Sequence, residues 1–148
     1  MHRISTRIAL VTPQKRFLLF LSHFSPGSNL PPRWIFPGGG VEANESLLDC
    51  AIREVHEETG LLLDTGSIHD LGQTLSFTQE DQREFKTGQS HFYRVQISDE
   101  FTPDSSRWTQ EEIRDTVTHR WWSIEEILEE EPWVGPDGVL EILHDLIG

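Results

Sequence analysis

Gly38-Gly39-Gly40-Val41-Glu42-Ala43-Asn44-Glu45-Ser46-Leu47-Leu48-Asp49-Cys50-Ala51-Ile52-Arg53-Glu54-Val55-His56-Glu57-Glu58-Thr59-Gly60-Leu61 runs from three successive glycines into a segment with helical periodicity. Leu48, Ala51, Ile52 and Val55 recur at i, i+3, i+4 and i+7, the stripe of an amphipathic helix. Asn44 is suited to the N-cap of that helix and Gly60 to its C′ position. At a rotation of about 100° per residue, Glu54, Glu57 and Glu58 fall within an arc of about 100° centred away from the stripe. The glycines permit backbone conformations and close approaches that side chains forbid. The loop can therefore enter directly against the carboxylate face.

Such a face has a chemical consequence. Glu54 and Glu58 form an i,i+4 like-charge pair, which destabilises a helix by a few tenths of a kcal/mol, and Glu57 adds to the repulsion. A bound cation would relieve it. Hard carboxylate oxygens suit Mg²⁺, with Mn²⁺ as a substitute, and such ions are held by a few carboxylates together with water and substrate phosphates. That set fits hydrolysis of a phosphoanhydride, in which the cation neutralises phosphate oxygens and activates the attacking water.

Working outward, Arg7 to Thr12 and Phe17 to Phe24 read as two strands joined by a turn at Pro13-Gln14-Lys15-Arg16. Ser25 to Pro32 reads as a loop, and Trp34-Ile35-Phe36 as a short strand ending at the glycines. Leu71 to Thr78 and His91 to Ile97 are expected strands, with Gln79 to Gln89 as a long hairpin loop. Arg120-Trp121-Trp122 is a last strand, followed by a capping box of Ser123 and Glu126 and a helix ending before Pro132. A final helix from about Asp137 carries Val139, Ile142, Leu143, Leu146 and Ile147 on one side. Mixed strands and helices place the chain in the α/β class, as one domain over residues 1–148.

From Gly39 the chain reads Gly39, five residues, Glu45, seven residues, then Arg53-Glu54-Val55-His56-Glu57-Glu58-Thr59-Gly60-Leu61. This resembles, without a gap or substitution, the signature of the Nudix hydrolase family. Trp34 to Gly38 and Arg120 to Ile127 are similar to that family's flanking segments. The resemblance implies a Nudix-type α/β/α sandwich with a mixed sheet. It also implies metal-dependent hydrolysis of a pyrophosphate bond in a nucleoside diphosphate-linked substrate, with a nucleoside triphosphate or related nucleotide as the default. Carried over residue by residue, it makes Glu54, Glu57, Glu58 and the Gly38 carbonyl metal ligands, with Glu57 nearest the nucleophilic water. Gly39, Glu45, Arg53 and Gly60 support the site. A further acidic residue before the last strand is also implied, with Glu111, Glu112 and Asp115 as candidates and Glu112 preferred.

Composition limits the alternatives. Twelve basic and 25 acidic residues give a net charge of −13, which repels nucleic-acid polymers and anionic membranes and leaves a small-molecule nucleotide as the expected partner. One cysteine, Cys50, excludes an intrachain disulfide and a cysteine-based zinc site. The apolar runs Ile8 to Val11 and Phe17 to Leu21 are too short for a secretory leader or a membrane span, so a cytoplasmic location is expected. A homodimer is compatible with the chain. Two rivals stand against an active hydrolase. A non-catalytic nucleotide-binding or regulatory module on the same fold normally lacks some of the carboxylates, and here all are present. An isomerase of the isoprenoid type wants a cysteine in the early strands, whereas Cys50 lies in the helix. Phe77, Phe85, Phe92, Tyr93 and Trp108 are candidate base platforms or core, and Glu129-Glu130-Glu131 is a solvated helix end.

Overall fold

Two apolar runs near the N-terminus organise the fold. The computed structural model describes residues 2–23, 30–80 and 85–148. Strand β1 (His2–Val11) carries Ile8, Ala9, Leu10 and Val11, all inaccessible to solvent, and β2 (Phe17–Ser22) carries Phe17, Leu18 and Leu19 likewise. Side chains alternate across a strand, so a continuous apolar run means that both sheet faces are covered. Ile8, Leu10, Leu18 and Phe20 pack with Ala51 and Val55 of helix α1 (Leu47–Thr59). Ala9, Val11, Phe17 and Leu19 pack on the other side with Ile127 of α3 (Ile124–Glu130) and with Leu143, Leu146 and Ile147 of α4 (Leu143–Ile147). The result is the expected α/β/α sandwich.

The remaining strands are β3 (Arg33–Ile35), β4 (Gly38–Gly40), β5 (Ile68–Glu80), β6 (Phe85–Gln96), β7 (Thr116–Trp122) and β8 (Val134–Gly135), with helix α2 (Gln110–Asp115) before β7. The order β5-β6-β1-β2-β3-β8 is mixed: β1 runs parallel to β6 and β3 parallel to β8, while the other pairs are antiparallel. β1 and β2 pair only at Val11 and Phe17 and then diverge. Beyond that point β1 takes β4 as its neighbour, through Ser5, Thr6 and Arg7, and β2 takes β3. The sheet thus splits, and the gap between its halves is where the cavities lie. No helix among the described residues is long and apolar enough to cross a membrane.

Several boundaries differ from the sequence reading. The α1 N-cap is Ser46, whose hydroxyl accepts from the Asp49 N–H at 3.0 Å. Asn44 sits two residues earlier with φ 65°, in a turn, where its side chain cannot cap. The glycines are not a loop but β4. The hairpin ladder extends to Glu80 opposite Phe85, because cross-strand pairing continues through polar residues that sequence alternation cannot flag. The C-terminal helix is a 3₁₀ turn at Val139–Ile142 followed by the short α4. Its stripe nevertheless packs as expected, with Val139, Leu143, Leu146 and Ile147 buried. Phe24 and residues 25–29 lie outside the described residues. The capping box is present: the Ser123 hydroxyl accepts from the Glu126 N–H at 3.2 Å, and the Glu126 carboxylate from the Ser123 N–H at 2.9 Å.

Candidate active site

Helix α1 is held at both ends, by Ser46 and by Gly60, whose φ of 81° is reached without strain by glycine and whose N–H closes on the His56 carbonyl. This fixes the rotation of the carboxylates. Arg53 then ties them to the entering chain. Its Nε and Nη2 donate to the two oxygens of Glu45 at 2.7 and 2.9 Å, and Nη2 also donates to the Gly40 carbonyl at 3.1 Å. Nη1 donates to Glu54 at 2.9 Å and to Glu57 at 3.3 Å. This paired geometry holds the Glu45 carboxyl down to about 2, with burial opposing.

The backbone of β4 supplies the other support. Gly38 adopts φ 147°, and a Cβ there would overlap the Thr6 carbonyl. At Gly39 a Cβ would come within 2.5 Å of the Glu54 carboxylate, so glycine leaves room for that side chain. The Gly38 N–H donates to Glu58 Oε2 at 3.0 Å. The Gly38 carbonyl faces Arg7, whose Nη1 lies 3.3 Å from it and 3.0 Å from the Phe36 carbonyl.

The carboxylates open on a cavity of about 440 Å³ whose opposite wall is Trp108 and α2. Burial pushes the Glu58 carboxyl well above its ordinary value. Glu54 pushes it further, Arg7 and the Gly38 N–H oppose, and Glu112 adds to the rise. Burial also raises Glu54, against Arg53, with Glu57 adding to the rise. Negative charge here is under-compensated. Glu57 is the most open of the three, with 40% of its side chain exposed against 13% for Glu54. Among the described residues, no three acidic, histidine or cysteine side chains already converge as a metal cage, because Glu54 and Glu57 turn to Arg53 and Glu58 turns to the Gly38 N–H.

The acidic residues before β7 separate in the structure. Glu111, Glu112 and Asp115 all line the cavity. Glu112 closes a capping box, accepting from the Thr109 N–H at 3.0 Å. Asp115 is paired with Arg114 through two bonds of 3.0 and 3.1 Å. Of the aromatic candidates, Phe92 and Tyr93 are core at 1% and 5% exposure. Trp108 lines the cavity, packs edge-on to Phe20 and donates from Nε1 to the Glu58 carbonyl at 2.8 Å. Cys50 is buried and accounted for by Thr6 at 3.3 Å and the Gly39 carbonyl at 3.6 Å, and burial pushes its thiol up.

The NUDIX domain family matches residues 1–141. The chain belongs to the Nudix family. A diphosphoinositol polyphosphate phosphohydrolase 3-alpha of Mus musculus is 42% identical over 61 residues, covering 40% of this chain and 34% of that protein. An m7GpppN-mRNA hydrolase of Danio rerio is 45% identical over 51 residues, covering 34% of this chain and 17% of that protein. This Nudix chain therefore matches about a third or less of those relatives' length. The structure of the E. coli dihydroneopterin triphosphate pyrophosphohydrolase superposes with a TM-score of 0.73 at 14% identity, covering 97% of this chain and 94% of that one. That likeness establishes the Nudix fold.

Sequence reasoning missed Arg3, Arg7 and Arg33. Arg3 and Arg7 line the carboxylate cavity, and the alternation Arg3-Ser5-Arg7 along a strand was a signal that they share one side of β1.

Proposed function

We propose that the protein is a divalent-cation-dependent pyrophosphohydrolase acting on a phosphoanhydride bond of a small nucleotide or related substrate, with nucleoside triphosphates as the default. The observation that carries this reading is the gathering of Glu54, Glu57 and Glu58 on one helix, held against a glycine strand at the wall of a 440 Å³ cavity, where burial raises the Glu54 and Glu58 carboxyls. Three carboxylates in a cavity for an anionic substrate make chemical sense with a countercharge between them. The donor set fits Mg²⁺ or Mn²⁺, since hard oxygens predominate and burial and mutual repulsion leave charge for a cation to neutralise. Glu54, Glu57, Glu58, the Gly38 carbonyl and Glu112 are the groups that would hold it. When bound, the cation supplies neutralisation of phosphate oxygens and acidification of water.

The chain's own residues then do the rest. Arg53 orients Glu54 and Glu57 through one guanidinium, and the Gly38 N–H orients Glu58. The Glu57 oxygen turned away from Arg53 accepts the proton of the attacking water. Arg7 offers fixed positive charge to the substrate phosphates. Trp108 and α2 close the opposite wall and restrict bulk water. The relatives' names, which specify hydrolysis of a diphosphoinositol polyphosphate, of an m7GpppN-mRNA and of a dihydroneopterin triphosphate, agree with a phosphate-rich substrate. A net charge of −13 favours small molecules over nucleic-acid polymers. The test is a screen of the purified protein with Mg²⁺ against nucleotides, sugar nucleotides and dinucleoside polyphosphates, reading phosphate and pyrophosphate release. Absence of turnover across all three groups would reject a nucleotide substrate, and absence of turnover of an inositol pyrophosphate as well would reject the hydrolase reading.

A further inference from the structure

A second cavity, of about 200 Å³, adjoins the first, and the two share Arg3, Arg7, Ser22, His23 and Ile35 on their walls. It occupies the split between β1 and the β2–β3 pair. Arg3, Ser5 and Arg7 of β1 form one side, and Ser22 with its cross-strand partner Arg33 forms the other. Ser90, opposite Ser5 in the β1–β6 ladder, adds a hydroxyl, and Ser5 and Ser90 are 3% and 2% exposed. Among the described residues, Asp137 is the one carboxylate on this wall.

Positive charge is concentrated on this wall. The whole chain has 12 basic residues against 25 acidic ones, yet three arginines meet in this small space. Arg33 is held down to about 10, first by burial and then by the neighbouring charge of Arg7, against Asp137. Arg7 stands on the wall common to both cavities, its Nη1 donating to the Phe36 carbonyl at 3.0 Å and to the Gly38 carbonyl at 3.3 Å. Glycine leaves room for two of the guanidiniums: a Cβ at Gly40 would lie 2.8 Å from Arg3 Nε, and one at Gly135 would lie 2.5 Å from Arg33 Nη1. Planar guanidiniums with hydroxyls beside them recognise phosphate oxygens.

We infer that Arg3, Arg7 and Arg33 form a second phosphate subsite, so that the substrate carries a further phosphate group on the part remote from the hydrolysed pyrophosphate. This rests on the hydrolase reading for which end of the substrate is cleaved. The arrangement has a polarity: the carboxylate end of the joined cavities takes phosphate through a cation, and the arginine end takes it directly. A compact polyphosphorylated substrate, either a polyol or a nucleotide, spans the two. A nucleoside diphosphate sugar leaves the arginine end without an anion.

The experiment begins with binding of inorganic tripolyphosphate in EDTA, by titration calorimetry, to the wild type, Arg3→Gln, Arg33→Lys and Glu57→Gln. Arg3 is exposed, so Arg3→Gln is the variant least able to disturb folding, and melting curves check each protein. The wild type is expected to bind, Arg3→Gln to bind at least about 10-fold more weakly, and Arg33→Lys to weaken binding by loss of the fork. Glu57→Gln is expected to bind as well as the wild type or better, as one repelling charge is gone. No wild-type binding, or equal binding by a folded Arg3→Gln, overturns the subsite. With Mg²⁺, Arg3→Gln should raise KM more for an inositol pyrophosphate or a dinucleoside polyphosphate than for a nucleoside diphosphate sugar. Whichever of the first two shows the selectivity identifies the source of the remote phosphate, and an equal effect on all three substrates overturns the inference. Failure of the hydrolase reading has a different appearance: no metal-dependent turnover of anything, with tripolyphosphate binding still lost in Arg3→Gln.

Discussion

Arg53 and Glu45 are joined side by side, Nε to Oε2 at 2.7 Å and Nη2 to Oε1 at 2.9 Å, and the same guanidinium reaches Gly40, Glu54 and Glu57. One side chain thus connects β4, the loop that follows it and two carboxylates of α1. Arg53→Ala is expected to lower Tm by roughly 5 °C or more, at about 2–4 °C per kcal/mol for a chain of this size, and to reduce kcat together with stability. Arg53→Lys should recover less than half of either loss, because an ammonium cannot span both Glu45 oxygens and the neighbouring carboxylates. Thermal melts alongside initial rates check this, and an Arg53→Ala protein with a wild-type melt would remove the tying role.

The same pair sets an acid limit on stability. The Glu45 carboxyl falls from its ordinary value of 4.5 to about 2 on folding, chiefly through its bonds to Arg53. A carboxyl lowered in the folded state contributes stability that is complete above the unfolded value and is lost as pH falls toward the folded one. The difference in Tm between the wild type and Glu45→Gln should therefore be full at pH 6–7, shrink below about pH 4.5 and nearly vanish near pH 2. A difference that stays constant over this window would show that the charge of Glu45 is not what stabilises the loop.

Glu57 separates chemistry from folding. It is more exposed than Glu54 and Glu58, and its bond to Arg53 is the longest that this guanidinium makes to a carboxylate oxygen within hydrogen-bond range. Glu57→Gln keeps an acceptor for Arg53 while removing charge and basicity. The expected result is a fall in kcat of at least about 10²-fold with Tm unchanged or slightly raised as helix repulsion eases. Wild-type kcat in this variant would make Glu57 a surface residue.

Removal of divalent cations should have the effect that the charge of the site demands. With EDTA, turnover of the best substrate is expected to fall to background and to return with Mg²⁺ or Mn²⁺, since Glu54, Glu57 and Glu58 would otherwise face the substrate phosphates unneutralised. Turnover that is insensitive to EDTA after dialysis would exclude the cation-dependent mechanism.

Local spacing made the carboxylate helix legible in the sequence. The arc of Glu54, Glu57 and Glu58, the Gly60 cap and the buried Ala51 and Val55 are all fixed by rotation along one helix, within one short stretch of chain. Asn44 and Ser46 are both good capping residues by type, and the φ of 65° at Asn44 leaves the cap to Ser46. The arginine cavity was not legible, because Arg3, Arg7 and Arg33 meet only through the divergence of β1 and β2 after their single pairing at Val11 and Phe17. That divergence is a property of the sheet and leaves no periodic trace. The pairing of Asp115 with Arg114 was written in adjacent residues, yet whether the two side chains would turn toward each other depends on how α2 meets β7.

That pairing bears on the fourth carboxylate and gives the last prediction. Glu111, Glu112 and Asp115 line one cavity, but their surroundings differ. Asp115 is neutralised by two bonds to Arg114, and its carboxyl is held below its ordinary value first by that side chain. Glu112 has one oxygen on the Thr109 N–H, and its charge is felt at Glu58 across the cavity. Glutamine at the third helical position also closes a capping box, so Glu112→Gln preserves α2 while removing the charge. The expected order is a loss in kcat of about 10-fold or more for Glu112→Gln, through one lost metal or water contact, and near-neutral effects for Glu111→Gln and Asp115→Asn. Measured at saturating Mg²⁺, a largest loss in Asp115→Asn would mean that Arg114 releases its partner when substrate binds, and three silent variants would confine the chemistry to α1.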